Sequence, residues 1–113
     1  MEETNIPRFI SYASYSHAGI KGLVDAPSDR STVIKGLVEK GGGKLIELYM
    51  TTGSNDVVLI TEFPDGTDAV AMAVAASGSV SKVETVRAWT ASESKGIAEK
   101  AAKVVGAYKP PGK

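Results

Sequence analysis

At 113 residues, with 42% hydrophobic and 23% charged residues, the chain has the size and composition of one globular domain, which excludes two independent cores and a disordered chain. Thirteen basic residues balance thirteen acidic ones, so we expect neither nucleic acid nor an anionic membrane surface as a partner. The chain contains no cysteine, which excludes disulfides, thiolate nucleophiles and zinc sites built on sulfur.

The first part of the chain predicts a strand, a short helical turn and a helix. Residues 8–16 (RFISYASYS) alternate as a strand does, and the glycines and proline that follow allow only a turn of helix at residues 20–24. Ser28 is a candidate N-cap for the next helix, which glycines 41–43 terminate. The apolar residues of that helix recur at three-to-four spacing: Val33, Ile34, Leu37 and Val38.

The second part predicts a hairpin, a helix, a strand and a terminal helix. Residues 44–52 and 57–63 read as two strands joined by a turn at 53–56. Asp65 or Thr67 is the predicted cap of an alanine-rich helix, AVAMAVAA, and residues 80–90 form the fourth strand. Thr90 and Glu93 have capping-box spacing, which predicts a last helix to about Val105.

This order of elements predicts a ferredoxin-like βαββαβ sandwich of the α+β class. It has an antiparallel four-stranded sheet, helices on one face and an extra C-terminal helix. We divide the chain into an N-terminal extension (1–7), the sandwich (8–91), the C-terminal helix (92–106) and an extended tail (107–113).

Four stretches between about residue 8 and residue 98 resemble the GYD domain family: GIKGLVDAP, GGKLIELYMTTG, DVVLITEFPD and VETVRAWT. The resemblance implies a dimeric α/β barrel, in which two protomers pair their open sheet faces. At the motif that names the family, this chain has Gly53, Asn55 and Asp56, so an asparagine stands where the family has a tyrosine. The family carries no settled biochemical function to transfer.

The strand alternation separates two predicted sheet faces. The set assigned to the face beneath the helices is apolar: Ile10, Ile46, Leu48, Met50, Val86 and Ala88. The set assigned to the open face mixes aromatic and polar residues: Phe9, Tyr15, Leu45, Glu47, Tyr49, Thr85, Arg87 and Trp89. Since protein interfaces are enriched in aromatic residues and arginine, this pattern favours a homo-oligomer over a free monomer.

The candidate ligand-binding or interface residues are His17, Glu47, Tyr49, Arg87 and Trp89. His17, the only histidine, is either a general base or, as we favour, a polar residue after the first strand. Glu47 and Arg87 either form an ion pair that sets interface register or leave the arginine to bind a small carboxylate or flat aromatic molecule.

Asp56 is interpreted as a turn residue rather than a catalytic acid, because Asp and Asn bond their own backbone in turns. The remaining carboxylates lack metal-ligand spacing, so we expect no metal and no cofactor. No apolar segment approaches the roughly 20 residues needed to cross a bilayer, and no signal peptide is evident, so we expect a cytoplasmic location.

The sequence leads to two hypotheses. The first is a binding, regulatory or assembly module that self-associates through its open sheet face. The second is a small cofactor-independent enzyme, of an oxygenase or isomerase kind, that acts on a small organic molecule in the cavity between sheet and helices. No nucleophile with an adjacent base is evident, so the sequence leaves open whether the protein is an enzyme.

Overall fold

A computed structural model describes residues 6–113 and shows four antiparallel strands with helices against one face. The strands are β1 (Arg8–Tyr15), β2 (Lys44–Met50), β3 (Val57–Glu62) and β4 (Val80–Ala88). The helices are α1 (His17–Asp25), α2 (Arg30–Lys40), α3 (Ala69–Ala76) and α4 (Ala91–Val104), with a 3₁₀ turn at Val105–Ala107. The spatial order β2-β3-β1-β4 confirms the ferredoxin-like α+β fold. Most of the predicted N-terminal extension lies outside the described residues.

Each α-helix begins at a side chain that accepts a hydrogen bond from its first turn. The N-caps are Ser16, Asp29, Asp68 and Thr90. Ser16 makes α1 a full helix of nine residues rather than the predicted turn, and the predicted caps of α2 and α3 were wrong by one to three positions. The predicted capping box at Thr90 and Glu93 is confirmed, with both reciprocal hydrogen bonds present.

The connection between β2 and β3 is tied to the end of β1 by Asp56. Its carboxylate accepts a hydrogen bond from the Tyr15 backbone N–H at 2.8 Å, and its own N–H donates to the Ala13 carbonyl at 2.9 Å. Gly53 has a φ of +96°, which favours glycine at that position. Asp56 therefore holds the hairpin in register with the central strand.

The hydrophobic core lies between the sheet and helices α2 and α3. Val38 of α2, Val70 of α3 and Phe63, which follows β3, form its buried centre. Phe9 packs edge-on against Phe63, with ring centroids 6.1 Å apart. The same cluster receives partly buried apolar side chains from the helices and from β2: Ile34, Leu37, Leu45 and Val74.

The C-terminal part of the chain extends away from this core. Every residue from 94 to 113 is exposed, although residues 91–104 are helical. The radius of gyration is 17.9 Å, whereas a compact domain of this length has about 13 Å. The chain is therefore a sandwich with a projecting C-terminal arm, defined here as residues 91–113.

A substitution at Gly43 tests how tightly β2 approaches the core. A Cβ atom added there would overlap the Phe63 ring and lie 2.7 Å from the Glu62 carbonyl oxygen. We expect Gly43→Ala to lower the free energy of unfolding by about 1–3 kcal/mol. The control is Gly36→Ala in α2, where a Cβ meets open space, and it should raise stability by about 0.5–1 kcal/mol. Equal urea midpoints for the two variants would contradict the packing described here.

Acid should weaken the start of α4. The hydrogen bond from the Thr90 backbone N–H lowers the pKa of the Glu93 carboxyl below its ordinary value. Since the folded pKa is the lower one, the stabilisation is present above the unfolded-state pKa and is lost as the pH falls through the folded pKa. Far-UV circular dichroism should show a smaller acid-induced loss of helix in Glu93→Gln, which keeps a capping amide but does not titrate. Superimposable titrations of the two proteins would refute this.

Candidate functional site

The strand registers decide which side chains of the sheet face the helices. Phe9 packs on the core, and it pairs with Thr61 on one side and with Arg87 on the other. Since directly paired residues point to the same face, Thr61 and Arg87 also lie on the helix side. The next row on that side, two residues along β1, contains Leu59, Ser11 and Thr85.

The predicted faces were therefore wrong for β1 and β4. Ile10 and Val86, assigned to the space beneath the helices, lie on the open side together with Ala88. Conversely, the positions assigned to the open face that belong to the helix side are Phe9, Tyr15, Leu45, Thr85 and Arg87. For β2 the assignment was right beyond Ile46, with Leu48 facing the helices and Tyr49 facing away.

A β-bulge explains why the predicted faces were right for most of β2 but wrong for β1 and β4. The register of β2 against β3 shifts between Leu45 and Glu47, so Ile46 is an extra residue and the alternation changes phase there. Leu45 and Leu48 consequently face the same side although an odd number of positions separates them. A strict two-residue period cannot represent this change of phase.

A pocket opens between the sheet and helices α2 and α3. It contains about 680 Å³ of unfilled space, including the part open to solvent. Its apolar lining consists of Ala13, Ile34, Val38, Leu48, Met50, Val57, Leu59, Val70, Ala71, Val74, Val80 and Val83. The polar lining residues are Ser11, Tyr15, Arg30, Thr61 and Asp68. The pocket therefore suits a mainly apolar molecule with few polar groups.

Three serine and threonine hydroxyl groups lie on the inner face of the sheet at or beside the pocket. Ser11 Oγ and Thr85 Oγ1 share a hydrogen bond of 2.8 Å, in which either hydroxyl can be the donor, so each has a partner. Thr61 is only 2% exposed, and its Oγ1 has no hydrogen-bond partner among the described residues. A buried hydroxyl without a partner is uncommon and needs an explanation.

Arg30 supplies a positive charge to the pocket lining. It is the first residue of α2, after the N-cap Asp29, whose carboxylate bonds to Ser31. The ion pairs within residues 6–113 are Arg8 with Glu62 and Lys21 with Asp25, so Arg30 has no carboxylate partner there. Asp68, the other charged lining residue, caps α3.

The opposite side of the sheet, called here the open sheet face, carries a mostly charged row across all four strands, Ala88, Arg8, Glu62 and Lys44, and two further rows beside it. The first of these two rows, from β4 to β2, is Val86, Ile10, Ile60 and Glu47. The second row is Glu84, Tyr12, Val58 and Tyr49. Across these two rows, an apolar centre is thus flanked by one carboxylate at each edge of the sheet.

The predicted site residues do not form one site, although two of them, Arg87 and Trp89, are in contact. Glu47 lies on edge strand β2 and Arg87 on edge strand β4, so the predicted ion pair between them cannot form within one chain. The Arg87 guanidinium carbon instead lies 5.8 Å from the Phe9 ring centroid and 4.8 Å from that of Trp89. His17 is exposed at the start of α1 and does not line the pocket.

The sequence reasoning missed the hydroxyls of the inner face. Thr61 lies two residues from Leu59 and four from Val57, so the sequence indicates that all three face the same side of β3. That this side lines a pocket depends on the positions of α2 and α3, which the sequence alone does not give. Within residues 6–113, no group of three or more His, Asp or Glu side chains is placed to hold a metal ion. None of the helices described is long and apolar enough to cross a bilayer.

Comparison with known proteins agrees with the pattern of elements. A family model for the GYD domain matches residues 9–98, which include β1 from its second residue, the other three strands, the first three helices and the first half of α4. No match was found among curated proteins or among solved structures. Since the matched segment covers most of the chain, the protein belongs to the GYD domain family.

Proposed function

We propose that this protein binds a small, mainly apolar organic molecule in the pocket beneath α2 and α3. The observation that supports this most strongly is the Thr61 hydroxyl, which lines the pocket, is buried and lacks a partner. Leaving such a group unsatisfied costs about 1–3 kcal/mol. A ligand carrying one hydrogen-bonding group would remove that cost while its apolar part fills the space lined by valine and leucine.

Binding accounts for the pocket better than catalysis does. The titratable lining residues are Tyr15, Arg30 and Asp68, and Asp68 is already engaged as the N-cap of α3. The polar groups on the sheet are hydroxyls, and the Ser11 hydroxyl bonds to Thr85 rather than to a base. Nucleophilic or acid–base catalysis needs a positioned base, so the cofactor-independent enzyme is the less favoured alternative.

Thr61→Val tests the pocket. Phenol, benzyl alcohol and benzoate serve as probes because each joins an aromatic ring to one polar group. We expect the variant to bind them at least tenfold more weakly, about 1.4 kcal/mol, because it lacks the hydroxyl. Without ligand, it should be more stable by about 1 kcal/mol, since a buried unsatisfied group is gone. Isothermal titration and urea unfolding measure the two effects.

Thr61→Ser is the matched control, since it keeps the hydroxyl and should keep most of the affinity. A second check is Ala71→Phe, which places a ring in the pocket from α3 and should reduce binding of all three probes. The pocket proposal is wrong if the wild-type protein binds no probe at millimolar concentration, or if Thr61→Val binds them equally well.

Self-association through the open sheet face is a second proposed property. It is favoured by the apolar and tyrosine side chains of that face, which include Val86, 40% exposed on edge strand β4, and Tyr49, half exposed on edge strand β2. Apolar and tyrosine side chains across four strands form the kind of continuous patch that marks an interaction surface. A second copy of the chain would remove it from water, and the pocket lies on the other side of the sheet.

Val86→Asp should weaken the oligomer at least tenfold, because it places a charge in the apolar patch that a second copy would bury. The control is Val24→Asp, the same change at an exposed valine of α1, away from the sheet. Analytical ultracentrifugation over a concentration series measures the dissociation constants. A wild-type protein that is monomeric at 100 micromolar, or identical constants for both variants, would overturn this property.

A further inference from the structure

Thr61 marks one end of the pocket beneath α2 and α3. It pairs with Phe9, which packs on the core cluster that contains Val38 and Val70. Val38 is near the end of α2, and Val70 is the second residue of α3. Thr61 therefore lies at the end of the pocket where α2 finishes and α3 begins.

Arg30 lies at the opposite end of the pocket. It is the first residue of α2 and precedes Val38 by eight positions, which corresponds to about 12 Å along the helix axis. On the sheet, Val57 precedes Thr61 by four positions of β3, which corresponds to about 13 Å. Val57 pairs with Met50 at the end of β2, and both line the pocket together with Arg30. The pocket is thus elongated along the strands.

The wall between these two ends is apolar. Ile34, in the middle of the α2 segment that lines the pocket, and Leu59, in the middle of the β3 segment, both contribute to it. Leu48 pairs with Leu59 from β2. Ser11 pairs with Leu59 from β1, but its hydroxyl already bonds to Thr85. An extended molecule in the pocket would therefore meet its polar partners at the two ends.

The charge at the Arg30 end is suited to a carboxylate. Arg30 is only partly exposed, and within residues 6–113 it has no carboxylate partner. The neighbouring Asp29 carboxylate accepts hydrogen bonds from Ser31 instead. A guanidinium group binds a carboxylate through two parallel hydrogen bonds, which recognise both its shape and its charge.

The Thr61 end carries the opposite charge. Asp68 caps α3 two positions before Val70, and its side chain lines the pocket there. A second carboxylate of a ligand would be repelled by Asp68. An uncharged hydroxyl or carbonyl group avoids that repulsion and supplies a partner for the Thr61 hydroxyl. The two ends of the pocket therefore favour different groups, which would orient a ligand.

We propose that the ligand of this pocket is an elongated monocarboxylate. Its carboxylate binds Arg30, its apolar chain lies between α2 and the sheet, and an uncharged polar group at its far end bonds to Thr61. This rests on the proposed binding function and names the class of ligand. The competing classes are an uncharged molecule of the same length and a dicarboxylate.

Three ligands of equal chain length distinguish these classes: ω-hydroxyoctanoate, α,ω-octanediol and suberate. By isothermal titration at neutral pH, ω-hydroxyoctanoate should bind at least about fivefold more tightly than the diol, which lacks the charge that Arg30 recognises. It should also bind at least about fivefold more tightly than suberate, which brings a second carboxylate to Asp68. Added sodium chloride should weaken binding of ω-hydroxyoctanoate and leave that of the diol nearly unchanged.

Arg30→Gln tests the charged end directly. It should weaken binding of ω-hydroxyoctanoate at least about fivefold, because the ion pair is lost. Binding of the diol should be nearly unchanged, since glutamine still donates a hydrogen bond. The matched control is Lys35→Gln, which removes the same charge from an exposed position of α2 outside the pocket lining and should leave both affinities unchanged.

A double variant tests whether the two ends bind different parts of the ligand. Arg30→Gln combined with Thr61→Val should weaken binding of ω-hydroxyoctanoate by the product of the two single effects, because distant groups act independently. A double variant that binds as well as the weaker-binding single variant would mean that one polar group of the ligand contacts both residues. The elongated placement would then be wrong.

The remaining outcomes separate the ligand class from the binding function. If ω-hydroxyoctanoate binds no better than the diol, or binds Arg30→Gln as tightly as the wild type, the carboxylate assignment is wrong, while binding of phenol and benzyl alcohol would leave the pocket proposal standing. If suberate binds as tightly as ω-hydroxyoctanoate, the assignment of an uncharged far end is wrong. If neither these ligands nor the shorter probes bind, both proposals are wrong.

Discussion

The central strand β1 is the constraint on which the arrangement of side chains depends. It is paired on both sides, with β3 and with β4, so its alternation imposes one phase on three of the four strands. Phe9 fixes that phase, because its ring packs against Phe63 in the core. A slip of one residue would move Ser11 and Ala13 to the outside and bring Ile10 and Tyr12 under the helices. The alternation of β1 thus determines which side chains line the pocket and which form the open sheet face.

The inner face of the sheet is mainly apolar but also buries hydroxyl groups that need hydrogen-bond partners. Burial beneath α2 and α3 favours apolar side chains, and Val57, Leu59 and Ala13 meet that demand. Ser11 and Thr61 lie in the same layer, and both are almost fully buried. Ser11 is satisfied by its neighbour Thr85 across the β1–β4 pair, whereas Thr61 faces Phe9 on β1 and Leu45 on β2, which offer no polar atom. The Thr61 hydroxyl therefore lacks a partner because of the residues that pair with it across the strands.

The order of the elements could be predicted from the sequence because it depends on local signals. Alternation identified β1 to β4, glycines 41–43 ended α2, and Thr90 with Glu93 marked the start of α4. The faces could not be predicted, because apolar side chains occur on both sides of this sheet and their character alone does not tell inside from outside. Ile10 and Val86 look like core residues in the sequence, and only the register with Phe9 shows that they face outward. Glu47 and Arg87 looked like partners for a related reason, since strand order is a non-local property.

The bulge in β2 has a consequence for how copies of this chain can meet. β2 is an edge strand, and a regular edge presents free N–H and C=O groups that recruit further strands. The extra residue at Ile46 interrupts that row of backbone groups, and Lys44 places a charge at the beginning of the same strand. Both features disfavour continuation of the sheet into another molecule, the route by which exposed edges seed amyloid-like aggregates. Contacts between copies are thereby directed to side chains on the face of the sheet rather than to the backbone of its edge.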